Sequence, residues 1–358
     1  MFADLSKYDN CYSLGRVGTG KISFDRYNTM AKALNSTGRP ILYSLCNWGE
    51  DFVMSWGNSI ANSYRISGDI YDHFNRPDDL CSCQNYDPSS PFCVAPGSSC
   101  SVMAIINRVA TYVDRGGPGG WQDMDMLEVG HGGMTDDEYV AHFSMWAALK
   151  SPLLIGADIR KLSPEALTIL NNPAVIAISQ DSVGRPARRV FRDLNVPKDR
   201  WGSGEINVWS GPLSGGDQLV ILLNAAAKDQ RMTAHLEDIF VGEGPNCHAP
   251  HCEHAWDVYD LWADRMDKAV AQRIIDGEDV EKVHASVNWF DASKTSYKEA
   301  LEAGDERLFG KKVAEIKPHG SLTVNIPRHS VKVFRLRSPT GSKIKRYGLQ
   351  KEEKKDEL

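Results

Sequence analysis

The chain has 358 residues, of which 42% are hydrophobic and 25% charged, and its formal net charge is −6 at pH 7. This length suits one large or two ordinary domains, and the acidic balance argues against nucleic-acid binding because no basic surface meets a phosphate backbone. The same balance favours a diffusible neutral ligand. No run of about 18 apolar residues occurs, so we expect no membrane span.

The first candidate strand ends in the motif "KYDNC", in which Lys7 and Asp9 are two residues apart. On a strand this spacing places both side chains on one face, here toward the mouth of a barrel. An ammonium beside a carboxylate keeps the carboxylate ionised, as a nucleophile must be. A structural ion pair at the strand end is an equally good interpretation of the pair alone.

The next candidate strand, "ILYSLCNW", is a continuous apolar run that places Cys46 and Trp48 at its tip. An indole at the end of a strand is well placed to form the wall of a sugar-binding pocket. The alternative for Trp48 is simple packing.

The segment "YRISGDI" places Arg65 four residues before Asp69. An arginine can clamp sugar hydroxyls and stabilise a neighbouring carboxylate, and cleavage of a glycosidic bond needs a second carboxyl that acts first as acid and then as base. The same spacing also occurs in ordinary i,i+4 ion pairs on helices, so this signal is weak by itself.

Two groups of cysteines occur in loop-like sequence: Cys81, Cys83, Cys93 and Cys100, and Cys247 with Cys252. Adjacent strand side chains diverge, so "CSC" is a poor zinc-chelating pair, and disulfides that pin a long loop in an oxidising compartment are the better hypothesis. The histidines of "CHAPHC", His248 and His251, are more often incidental than metal ligands. We therefore predict neither a metal nor a cofactor.

The most specific stretch is "GGWQDMDMLEVG". Glycines give a tight entry, Trp121 offers an aromatic ring, and Asp123 and Asp125 alternate with Met124 and Met126, so that on a strand the two acids share one face. Carboxylates accept hydrogen bonds from vicinal sugar hydroxyls, and aromatic rings pack against the C–H face of a sugar. A Gly-rich hairpin with a core tryptophan is the alternative.

Residues 1–185 thus alternate apolar strands with helical stretches such as "TDDEYVAHFSMWAALK", which indicates parallel β–α units. Four consecutive strands that end in polar residues are typical of a (β/α)8 barrel active site. Residues 186–338 change to alternating segments such as "DQLVILLNA" and predict an antiparallel β-sandwich. Residues 339–358 read as a charged disordered tail.

The tail ends in KDEL, residues 355–358, which is a retrieval signal for the endoplasmic reticulum lumen and makes the KDEL receptor a possible partner. A solvated charge run with these letters by chance is the alternative. The first residues, "MFADLSKYDN", contain no basic segment followed by an apolar one, so no signal peptide is visible. The triplet Asn35–Thr37 is a glycosylation sequon, as expected on a secretory route.

Together the motifs "KYDNC", "SLCNWG", "GGWQDMDMLEVG", "HFSMWAALKSPLLIGADI" and "VIAISQD" resemble glycoside hydrolase family 27, the α-galactosidases, and most closely its fungal branch. The resemblance runs from residue 3 to about residue 338. It implies a secreted enzyme that hydrolyses terminal α-galactose with retention of configuration, with Asp9 as nucleophile and Asp69 as acid/base. It implies a supporting role for Asp123 and substrate-binding positions at Lys7, Cys46, Trp48, Arg65, Asp125 and Met126.

Relatives in this family carry a signal peptide and three β–α units before the nucleophile strand, so the resemblance implies that residues 1–185 are strands 4 to 8 of a TIM barrel. In that order Asp9 ends strand four and Asp69 ends strand six, and alternate strands contribute to one layer of a barrel interior. The expected fold is therefore the C-terminal part of a barrel followed by a β-sandwich.

Two alternatives to an active α-galactosidase stay open. One is an N-terminally truncated remnant that binds sugar or does not act at all. The other is an α-N-acetylgalactosaminidase, which needs room beside the sugar 2-position, and the bulk of Trp48 argues against it.

Overall fold

The computed structural model describes residues 4–13, 15–76, 100–241 and 250–338. The predictions for the loop residues Cys81, Cys83, Cys93, Cys247 and His248 lie outside the described residues, as do those for the charged tail and its KDEL sequence. Cys100 and Cys252 are both disulfide-bonded. Across the described ranges, no helix is both long and apolar enough to cross a membrane.

The first part of the chain is built on a parallel sheet whose spatial order follows the sequence. Its strands are β1 (Asp4–Asp9), β2 (Ile41–Cys46), β3 (Ser63–Arg65) and β4 (Trp121–Asp123). Each strand pairs in parallel with the one before it, as β–α units require. The expected fifth strand, "SPLLIGADI", contributes one isolated parallel bridge between Leu127 and Ile155 rather than a strand.

Helices connect and follow these strands: α1 (Gly20–Ser36), α2 (Val53–Trp56), α3 (Val102–Val109), α4 (Asp136–Ala148), α5 (Pro164–Leu170) and α6 (Pro173–Gln180). Their starts follow from local sequence. Thr135 and Glu138 form a capping box at α4, and Ser163 caps α5, whose first residue is proline. Helix α4 is buried along nearly its whole length, including Phe143 and Trp146.

The second part is an antiparallel β-structure, as predicted. Its strands are β5 (Arg188–Asp193), β6 (Ile206–Pro212), β7 (Gln218–Asn224), β8 (Gln230–His235), β9 (Trp256–Asp260), β10 (Lys311–Ile316), β11 (Ser321–Ile326) and β12 (Ser330–Arg337). One sheet has the order β10-β9-β12-β7-β6-β5, and β11 pairs with β8 in a second. Val208, Val220, Trp256 and Phe334 belong to the apolar cluster of this part. The predicted boundary, residue 185, lies between α6 and β5.

This second part also contains helices that the strand-only prediction missed. They are α7 (Leu236–Ile239), α8 (Lys268–Ile275), α9 (Val280–Ser286) and α10 (Tyr297–Ala303). The signals were local: Asp267 and Asp279 cap α8 and α9, and Ser296 with Glu299 forms a capping box at α10. The alternating segments on either side of these helices predicted strands, so the whole region was assigned to a β-sandwich.

The two parts are joined by specific contacts. Arg265 donates two hydrogen bonds to the Asp136 carboxylate, at 2.6 and 2.7 Å, and the Trp262 indole N–H donates to the Ser144 hydroxyl at 3.0 Å. Val331 and Val333 of β12 belong to the same apolar cluster as the α4 side chains. The arrangement of the two parts is therefore fixed by buried apolar contacts and a bidentate ion pair.

Candidate active site

The four strand tips of the parallel sheet lie at one level. Asp9 on β1 is the register partner of Cys46 on β2, and Arg65 on β3 is the partner of Asp123 on β4. Leu45 pairs with Tyr64, so that Cys46 and Arg65 are also neighbours. Residues at one level of adjacent strands are about 5 Å apart along the hydrogen-bonding direction. The predicted polar residues therefore line one edge of the sheet.

Arg65 is the centre of this edge. Its side chain is 2% exposed, and its Nη2 lies 3.1 Å from Asp69 Oδ1 and 2.6 Å from Asp125 Oδ2. The same nitrogen donates to the Gly68 carbonyl at 2.9 Å. Burial opposes the charged form, but the carboxylates of Asp125 and Asp123 outweigh it and raise the pKa of Arg65 above its ordinary value. One guanidinium thus links two of the predicted carboxylates.

Asp123 and Asp125 lie together, but not through strand alternation as predicted. Strand β4 ends at Asp123, and Asp125 has a left-handed backbone with φ 78°. This turn lets Asp123 Oδ1 accept from the Asp125 amide at 2.8 Å and Asp125 Oδ2 accept from the Ile70 amide at 2.9 Å. Burial raises the pKa of Asp123, although the charges of Arg65 and Lys7 lower it.

Asp9 and Asp69 are the exposed carboxylates of the cluster. Asp9 Oδ1 accepts from the Asn10 amide at 2.7 Å and from the Cys11 thiol at 3.4 Å. The pKa of the Cys11 thiol is raised, first by its hydrogen bond to Asp9 and also by the charge of Asp69. Asp9 is thus held at the tip of β1 by its neighbours, and Asp69 by Arg65.

The other predicted substrate positions lie on the same strands or in the segments that follow them. Burial raises the pKa of the Cys46 thiol to about 12, so the thiol is neutral, while the charges of Arg65 and Lys7 oppose the shift. Lys7 is exposed. Trp48 is half-buried and holds a left-handed φ of 57°, and Met126 is 43% exposed beside Asp125. A thiol, an indole and a thioether give this edge apolar surface next to its acids.

Sequence reasoning missed a buried network behind Asp9. Asn10 donates from Nδ2 to Glu50 Oε2 at 3.1 Å and accepts at Oδ1 from Arg26 Nη2. Arg108 donates to the carbonyls of Gly49 and Ile66, which ties the loops after β2 and β3 together. The sequence offered one indication of this network: Asn10 and Glu50 follow the ends of candidate strands, as the predicted site residues do.

We expect Glu50→Gln to stabilise the protein at pH 8 and to leave its stability at pH 4.5 nearly unchanged. Burial, followed by the charge of Asp51, raises the pKa of Glu50 to about 7 from its ordinary 4.5. Between these values the folded chain holds more protons than the unfolded chain, so the free energy of unfolding falls as pH rises and the full penalty is present above about pH 7. The shift corresponds to on the order of 2–3 kcal/mol.

Urea unfolding of the parent chain and the variant between pH 4.5 and 8 measures this difference. Glu302→Gln, at an exposed position on α10, is the matched control and should follow the parent curve. Parallel curves for the parent and Glu50→Gln would contradict the expectation.

No group of three or more His, Cys, Asp or Glu side chains in the described ranges is arranged to hold a metal ion. The polar groups of the edge are carboxylates, the Arg65 guanidinium, the Lys7 ammonium and the thiols of Cys11 and Cys46, and the Trp48 indole follows β2. This combination can bind sugar hydroxyls and supply two carboxyl groups for acid–base and nucleophilic chemistry.

Comparisons with known proteins agree with this chemistry. Residues 1–181 match the family described as alpha galactosidase A, and residues 203–283 match the alpha galactosidase C-terminal beta sandwich domain. The chain is 48% identical over 334 residues to the α-galactosidase of Torulaspora delbrueckii, covering 93% of this chain and 69% of that protein. It is also 48% identical over 337 residues to the α-galactosidase of Saccharomyces paradoxus, covering 94% of this chain and 69% of the relative.

Solved structures give the same result. The α-galactosidase of Saccharomyces cerevisiae superposes with a TM-score of 0.86 at 45% identity, covering 94% of this chain and 72% of that one. A structure of the same enzyme with raffinose has a TM-score of 0.85, and α-galactosidase I of Mortierella vinacea has 0.70 at 38% identity, covering 94% of this chain and 68% of that one. The chain combines a barrel-type domain with a β-sandwich and belongs to the α-galactosidases of glycoside hydrolase family 27.

Proposed function

We propose that the chain is a retaining α-galactosidase that releases terminal non-reducing α-D-galactose by double displacement, with Asp9 as nucleophile and Asp69 as acid/base. The observation that carries the proposal is the position of Arg65. It contacts Asp69 and Asp125 at the end of β3. Asp9 lies at the same edge of the sheet, at the end of β1, two strands away. A retaining mechanism needs two carboxyl groups about 5 Å apart across the scissile bond.

In the first step the Asp9 carboxylate attacks the anomeric carbon while Asp69 gives its proton to the glycosidic oxygen. The bond from carbon to the leaving oxygen breaks, and a galactosyl ester forms on Asp9. In the second step Asp69 takes a proton from water, the water oxygen attacks the anomeric carbon, and Asp9 leaves as a carboxylate. Two inversions give net retention.

The remaining edge residues are proposed substrate contacts. Asp125, Arg65 and Lys7 offer charged acceptors and donors to sugar hydroxyls, with Asp123 in a supporting role behind them. Trp48, Cys46 and Met126 supply apolar surface for the C–H face of the galactose ring. Oligosaccharides, galactomannan side chains and glycolipids are the proposed substrates, and the relative solved with raffinose supports an oligosaccharide. We further propose that the protein is secreted, or is returned to the endoplasmic reticulum lumen if its KDEL sequence functions.

We expect p-nitrophenyl α-D-galactoside to be hydrolysed at least tenfold more efficiently than p-nitrophenyl α-N-acetylgalactosaminide. The bulk of Trp48 beside the sugar limits the space that a 2-acetamido group needs, and even one extra methylene in a pocket costs about 1–3 kcal/mol. Steady-state kcat/KM values for the two glycosides measure the ratio. Preference for the N-acetyl sugar would make α-N-acetylgalactosaminidase the better assignment, and binding of galactose without turnover would favour a sugar-binding protein.

A further inference from the structure

A cavity of about 650 Å³ lies where the barrel part meets the β-sandwich, and we name it the junction cleft. Residues 73–76 and Glu138 line it from the barrel side, and residues 198–201, Arg328 and His329 line it from the other side. None of the carboxylates of the candidate active site is part of this lining. The volume falls in the range of pockets that bind small organic ligands, about 300–1,000 Å³.

The junction cleft carries concentrated positive charge. The guanidinium groups of Arg76 and Arg200 lie 5.5 and 4.6 Å from the centre of the same Trp201 indole ring. Within the described parts of the chain, neither these two arginines nor Arg328 forms an ion pair with a carboxylate. Two guanidinium groups against one ring give this side of the cleft an excess of positive charge, which a bound anion would offset. Lys198, which donates to the Gly204 carbonyl, adds a fourth positive charge.

The two acidic side chains of the cleft are already engaged. Glu138 Oε1 lies 2.6 Å from His329 Nδ1, and Glu138 Oε2 accepts a hydrogen bond from the Thr135 amide at 2.8 Å. Asp199 Oδ1 accepts from the amides of Trp201 and Ser203 at 2.8 and 2.9 Å. Both carboxylates are thus held by other partners, and the four basic side chains of the lining outnumber them, although the whole chain is acidic.

His329 supplies an independent observation. The residue is 6% exposed and lines the cleft, and among the described residues its buried Nε2 has no hydrogen-bond partner. Leaving a buried ring nitrogen unpaired costs free energy, and a bound ligand removes that cost. Its other nitrogen, Nδ1, lies against the Glu138 carboxylate, which leaves Nε2 as the ring nitrogen that a ligand could pair.

We propose that the junction cleft is a second carbohydrate site, which binds an anionic saccharide, a sugar chain that carries phosphate or carboxylate groups. A guanidinium group can donate two hydrogen bonds to a phosphate or a carboxylate. The cation–π contacts with Trp201 orient the guanidinium groups of Arg76 and Arg200. The Trp201 ring is also 45% exposed, so it offers a face for sugar C–H groups. The volume exceeds what an inorganic anion needs, which favours a sugar that bears the anion.

Isothermal titration of the full chain tests the proposal. The probes are glucose 6-phosphate, a glucuronate trimer, neutral maltotriose and inorganic phosphate, each at 50 and 300 mM NaCl. At least one charged saccharide should bind at least tenfold more tightly than maltotriose and inorganic phosphate, and its affinity should fall at the higher salt concentration. The tighter of the two charged sugars identifies the preferred anion.

Arg200→Ala and Arg328→Ala should each weaken this binding about tenfold, because each removes a charge-assisted hydrogen bond to the anion. Arg185→Ala removes an exposed arginine outside the cleft and should leave binding unchanged. Hydrolysis of p-nitrophenyl α-galactoside should stay at the parent level in all three variants, which also shows that they are folded.

Three results would overturn the proposal. Charged saccharides that bind no better than maltotriose remove the role of the anion. Inorganic phosphate that binds as tightly as glucose 6-phosphate removes the role of the sugar. Arg200→Ala and Arg328→Ala variants that keep the parent affinity place the binding elsewhere on the chain.

Discussion

Replacing Asp9 by alanine is expected to lower kcat/KM for p-nitrophenyl α-galactoside by about 10⁴-fold or more, because no galactosyl ester can form without the carboxylate. Sodium azide should then restore turnover. The azide ion enters the space that the carboxylate vacates and attacks the anomeric carbon from the face where Asp9 lies. The product is β-galactosyl azide, which nuclear magnetic resonance distinguishes from the α-anomer.

The Asp69→Ala variant is the matched comparison because it removes the other carboxyl. Its galactosyl ester still forms on Asp9 when the leaving group is good, and azide then attacks that ester, so the expected product is α-galactosyl azide. The two variants thus give opposite anomers. Asp25→Ala, at an exposed aspartate of α1, should keep the parent activity. The same anomer from both variants, or an Asp9→Ala enzyme of parent activity, would contradict the assigned roles.

Replacing Arg65 by methionine is expected to destabilise the protein by about 3–5 kcal/mol, because it leaves the nearly buried Asp125 carboxylate without its cation. Arg65 and Asp125 are only 2% and 5% exposed, and the N–O distance between them is 2.6 Å. The double variant Arg65→Met with Asp125→Asn should recover part of this loss, because it removes the uncompensated charge. Asparagine also tolerates the left-handed backbone at position 125.

Urea unfolding at pH 7 measures these differences in free energy. Arg307→Met is the control, because its ion pair with Asp305 lies nearer the surface, with the arginine 38% exposed, and such pairs contribute about 0–1 kcal/mol. A loss for Arg65→Met as small as that for Arg307→Met would show that the Arg65 contacts are not structural. A double variant less stable than Arg65→Met would show that the Asp125 charge has another compensating partner.

The Arg65 result bears on catalysis as well as stability. The guanidinium reaches Asp69 at 3.1 Å, and Asp69 is otherwise an exposed side chain on a loop. A carboxyl that must protonate a leaving group within hydrogen-bond distance needs a fixed position. Arg65 thus connects the buried Asp125, in the turn after β4, to the exposed acid that is proposed to transfer the proton.

The sequence by itself determined which segments form the parallel sheet and which polar residues end its strands. The motifs that carry Asp9, Cys46 and Asp123 are local patterns, and parallel pairing of consecutive strands brings their ends to one edge. The antiparallel second part was also readable, because alternation is a local signal. The division at residue 185 and the roles of the site residues stay predictions.

Only the tertiary structure decided how these residues contact one another. The left-handed turn at Asp125 replaced the expected alternation, and the contact between Asn10 and Glu50 joins residues 40 positions apart. The junction cleft collects its arginines from three distant segments of the chain. Such contacts depend on packing between elements, and local sequence carries no record of which distant side chain will lie opposite another.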